Sequence, residues 1–94
     1  SLAGEQVAAA ATLRLAREAG IELETTDLEN LIALHAHSGA PWQAARLMQA
    51  LLDEGLLSSS ADRLRRLAYL WQSARDYERA LAAWERVARS VCPV

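Results

Sequence analysis

The sequence predicts an all-α fold of five helices set in antiparallel pairs, and three observations carry that expectation. Ala and Leu dominate a chain that is 52% apolar, while Gly, Pro and β-branched residues are few, so helix is favoured throughout and a disordered chain is excluded. Capping residues and isolated Gly or Pro stops cut the chain into segments of helical length. Shifting Leu28 onto Leu64, an offset of 36 (64 − 28), lays one half of the chain over the other as helix, tight turn, helix. At 94 residues, positions 1–94 make a single domain, and a start at Ser fits a piece of a longer protein.

Each element follows from its own signals. The first helix is expected over 4–19, ending at Gly20, which accepts a left-handed backbone. Thr26 is the expected cap of the second, with Glu29 three residues on completing a capping box, and the helix runs over 27–38 to a stop at Gly39. Pro41 opens the third helix at its first turn, where a missing N–H costs nothing, and Gly55 ends it after Glu54. Ser59 and Asp62 have capping-box spacing for the fourth, which should reach about Ala74. Arg75 and Asp76 form a tight turn, and Asp76 caps the fifth helix from Tyr77 to about Ser90, before Pro93. Ile21–Leu23 is too short for a strand. The short links at 39–40 and 75–76 force antiparallel neighbours.

The 36-residue shift also pairs Leu31 with Leu67, His35 with Trp71, Ala44 with Ala80, Met48 with Trp84 and Leu51 with Val87. The series Leu64, Leu67-Ala68, Trp71, Tyr77, Ala80, Trp84, Val87 resembles a tetratricopeptide repeat. That resemblance implies a right-handed superhelical stack of helix pairs, an α-solenoid fragment of about two and a half units. Residues 1–20 would supply the second helix of a preceding unit, 25–57 the first full unit and 61–92 the second. In such a stack Ala44, Ala68 and Ala80 let helices approach, while Leu31, Met48, Leu67, Trp71, Tyr77 and Trp84 fill the space between them. The middle unit departs from the pattern: Ile32 stands where a small residue is expected, and His35 replaces an aromatic. The two extra residues of the period are placed in the LLSSS connection.

Several function classes find no support. The formal charge is −2 and the closest basic group, Arg63, Arg65 and Arg66, has Asp62 beside it to pair with Arg66, so no nucleic-acid face is expected. No apolar run approaches the ~20 residues that cross a bilayer. The stretch VAAAATLRLA carries Arg14 and lacks a basic leader, unlike a signal peptide. Cys92 is the only cysteine, so no internal disulfide forms. His35 and His37, two apart, point roughly 200° away from each other on a helix and do not chelate a metal together. The glycines are isolated stops, so no phosphate loop exists, and no catalytic constellation appears. An enzyme is not expected, nor a metal or cofactor.

What the resemblance implies is a scaffold that binds a protein or peptide. The first helix of each unit would line a concave face, presenting Glu29, Ala33, Ala36 and His37 from one and Arg65, Tyr69, Gln72 and Ser73 from the next. One acid, one base, an aromatic and amide or hydroxyl groups suit an extended peptide of mixed character. The basic clamp with which some relatives of that family grip chaperone tails is missing here. Trp42 falls off the apolar stripe and is a further surface contact candidate. The alternative is self-association, a homodimer through the end faces or the outer side of the last helix at Ala83, Val87 and Val91, or a regulatory role within a larger protein. Basic residues that are all Arg, in an Ala-rich chain, point to a high-GC bacterium, with cytoplasm and periplasm both compatible.

Overall fold

A computed structural model describes residues 18–20 and 23–91. Its helices are α1 (Thr25–His37), α2 (Pro41–Asp53), α3 (Ala61–Ser73) and α4 (Tyr77–Val91), with no strand among the described residues. The all-α expectation holds, and the expected count of five is corrected to four among the described residues. The helix expected over 4–19 falls outside the described residues but for its last positions, where Gly20 has the left-handed φ of +72° expected of the stop.

The 36-residue offset recurs in the backbone. Glu24 and Ser60 cap α1 and α3, which begin at Thr25 and Ala61 and end at His37 and Ser73. Both helices close with the same turn. Gly39 at φ +79° and Arg75 at φ +62° stand at equivalent positions. Ala40 N–H donates to the His35 carbonyl (2.9 Å) and Gly39 N–H to that of Ala36 (3.3 Å). Asp76 N–H and Arg75 N–H do the same to Trp71 and Gln72 (2.9 Å each). This double bond pattern satisfies carbonyls that a helix end leaves without partners.

Two caps differ from expectation. In α1 the cap is Glu24 and not Thr26: the Asp27 carboxylate accepts from Glu24 N–H at 3.1 Å, and Thr26 lies within the first turn. Glu29 instead reaches another helix, accepting from Arg63 Nε at 2.9 Å in a charge-assisted bond. In α3 the cap is Ser60 and not Ser59, its hydroxyl accepting from Arg63 N–H at 3.2 Å. The other two serines are engaged elsewhere: Ser58 accepts from the Arg63 guanidinium (2.6 Å) and Ser59 from Arg86 (3.4 Å). Asp62 pairs with Arg65 at 3.4 Å, not with Arg66. Asp76 caps α4 as expected, its carboxylate accepting from Arg79 N–H at 3.1 Å.

Leu28 and Ile32 of α1, Ala44, Met48 and Leu51 of α2, Leu64, Leu67, Ala68 and Trp71 of α3, and Ala80, Ala83 and Val87 of α4 form one buried cluster. Three readings of side chains change. Ile32 is fully buried at the place equivalent to Ala68, while Leu31 is only half-buried. Tyr77, the first residue of α4, is 67% exposed and fills no interior space, because its position lies beside the Ala80–Ala83–Val87 stripe. Of the outer face expected for self-association, Ala83 and Val87 are buried, and the Val91 side chain lies outside the described residues. Leu57, in the connection between hairpins, is buried as well and anchors that link.

Each helix packs chiefly on its neighbours in sequence: α1 on α2, α2 on α3, α3 on α4. The first and last helices do not form a packed pair, so the four make an open row and not a closed bundle.

Candidate partner-binding surface

On α3 the buried residues Leu64, Leu67, Ala68 and Trp71 leave Arg65, Tyr69 and Gln72, spaced four and three apart, as a row along the flank that meets α4. Tyr69 is 54% exposed, and its ring meets Trp84 edge to face, with centroids 5.1 Å apart and planes at 84°. Trp84 Nε1 donates in turn to Gln72 Oε1. Trp84 of α4 thus links Tyr69 and Gln72 of α3. Arg65 pairs with Asp62 on the same helix, and both are so exposed that the pair contributes little. Ser73 is exposed at the end of α3.

The expected residues of α1 stand apart from this row. Glu29 is half-buried and engaged with Arg63. Ala33 and Ala36 are half-buried and His37 exposed, and among the described residues none makes a polar or ring contact with the α3 row. The structure thus joins Tyr69 and Gln72, adds Trp84 to them, and ties Glu29 to α3 through Arg63. Sequence spacing assigned Trp84 to the interior; only its half-burial beside Tyr69 reveals the second role.

A second feature lies on the side of α2 and α4. Trp42, 39% exposed, carries the Arg46 guanidinium over its ring at 4.8 Å. Buried Trp71 is covered by Arg79 at 5.2 Å and donates through Nε1 to Gln49 Oε1 at 3.2 Å. Gln49 Nε2 donates to Asp53 at 3.1 Å, and Asp53 faces Arg86 at 3.6 Å. Trp42, Arg46, Gln49, Asp53, Trp71 and Arg79 line a cleft of about 430 Å3, to which Arg86 does not contribute. Arg79 also pairs with Asp76; the Arg79 N–H bond, then its guanidinium, hold the Asp76 carboxyl below its ordinary value.

Among the described residues no group of three or more His, Cys, Asp or Glu side chains could hold a metal ion, and no helix is long and apolar enough to cross a membrane. Fold and surface together define an all-α protein of two successive helical hairpins with an exposed aromatic on one flank. Compared with protein-family models, curated proteins and solved structures, the chain matches none.

Proposed function

We propose that this chain is a tetratricopeptide-like interaction module, not an enzyme, that binds an extended peptide or a partner protein along α1 and α3. The observation that carries the reading is Tyr69: a large ring, more than half exposed, packed edge to face on Trp84, which itself donates to Gln72. Aromatic anchors dominate binding energy at interfaces. Arg65 lies one turn before it on the same row and Gln72 one turn after, so a peptide crossing α3 meets charge, ring and amide in sequence.

The test uses peptides selected from a displayed random library against the intact chain. Tyr69→Ala combined with Arg65→Ala should weaken the selected peptides by roughly tenfold or more, the loss typical of one anchor residue. Helical circular dichroism should stay as in the parent, since neither side chain is buried. Undiminished binding by the double variant would show that α3 does not form the contact.

A further inference from the structure

We infer that the cleft between α2 and α4 is a second binding site, and that it takes an acidic peptide segment, with a carboxylate on Arg46 and a neighbouring apolar side chain against Trp42. The balance of charge in the cleft carries this. Arg79 has the Asp76 carboxylate and Asp53 has Arg86. Arg46 alone of the charged groups lining the cleft has no carboxylate partner among the described residues. A carboxylate brought by a ligand completes the set; a cation has no unpaired acid to meet there.

Arg46 is also positioned in advance. Its guanidinium lies over the Trp42 ring at 4.8 Å, a cation–π contact that keeps the charge beside the exposed indole. The Gln49 amide is used at both ends, by Trp71 and by Asp53, so it holds the floor and leaves recognition to the guanidinium and the exposed indole. A cleft of about 430 Å3 admits a carboxylate with one or two apolar side chains. Nucleic acid fits less well. Neutralising a phosphate backbone takes several cations, and among the described residues lining the cleft only Arg46 lacks an acidic partner, in a chain of net charge −2.

The inference is independent of the α3 row and is tested separately. The probe is a short peptide alternating leucine and glutamate, with both ends capped. Two controls replace every glutamate by glutamine, one capped and one with a free C-terminal carboxylate, and a third is oligothymidylate. The readout is the Trp42 indole N–H signal in NMR, assigned by its loss in Trp42→Phe, with affinity from its titration. The glutamate peptide is expected to shift that signal and both glutamine peptides to leave it unmoved. Arg46→Gln, which keeps the stem and removes the charge, should weaken the glutamate peptide by about tenfold or more. Tyr69→Ala should leave this binding as it was. The inference is overturned by equal binding of the capped glutamine peptide, by binding regained only with the free terminus, by oligothymidylate binding in preference, or by an unaltered affinity in Arg46→Gln.

Discussion

Arg75 holds a backbone conformation that its side chain does nothing to favour. With φ at +62° it occupies the place that Gly39 holds 36 residues earlier, because the link to α4 needs the same left-handed turn. A β-carbon in that region costs about 1–2 kcal/mol, and glycine avoids most of it. Arg75→Gly is therefore expected to stabilise the chain by about 1 kcal/mol, seen as a higher urea midpoint at unchanged slope. A lower midpoint would mean that Arg75 makes a contribution the turn geometry does not account for. Tyr69 teaches a related lesson about single residues. Its place on the row was legible from the repeat pattern, but its ring partner is Trp84, fifteen positions on, and spacing alone put Trp84 indoors.

Helix ends were legible where one residue has a chemistry that no neighbour shares. Pro41 opens α2, Gly39 and Gly55 take positive φ, and Asp76 caps α4, each for a reason local to the backbone. The starts of α1 and α3 were misplaced because neighbouring residues compete for each cap. Glu24 and Thr26 compete in one place and Ser58, Ser59 and Ser60 in the other. Arg63, which binds Ser58, Ser60 and Glu29 together, favours the choice observed. Its bond to Glu29 joins residues 34 apart, a relation no local pattern contains. A double-mutant cycle with Arg63→Ala and Glu29→Ala should give a coupling of roughly 0.5–1 kcal/mol, modest because both side chains remain partly exposed. Coupling indistinguishable from zero would reduce the pair to a surface contact without a part in joining α1 to α3.

At the scale of the molecule, the hydrophobic periodicity and the internal offset were enough to give the all-α class and the hairpin order. They could not give the helix count among the described residues, nor the cleft, whose walls come from α2, α3 and α4 and depend on how one hairpin seats on the other. An open row of helices leaves two long flanks exposed, where a closed bundle would bury one of them. None of the residues lining the cleft at Trp42 belongs to the Tyr69–Trp84–Gln72 group, so the two proposed sites share no side chain. The most direct measurement is an amide NMR titration of the intact chain with a library-selected peptide, mapped onto the four helices. The account predicts that the largest shifts fall on α3 at Arg65, Tyr69 and Gln72 and extend to Glu29 and Ala33 of α1. Shifts confined to the exposed side of α4 at Tyr77 and Leu81, with the α3 row unmoved, would contradict it.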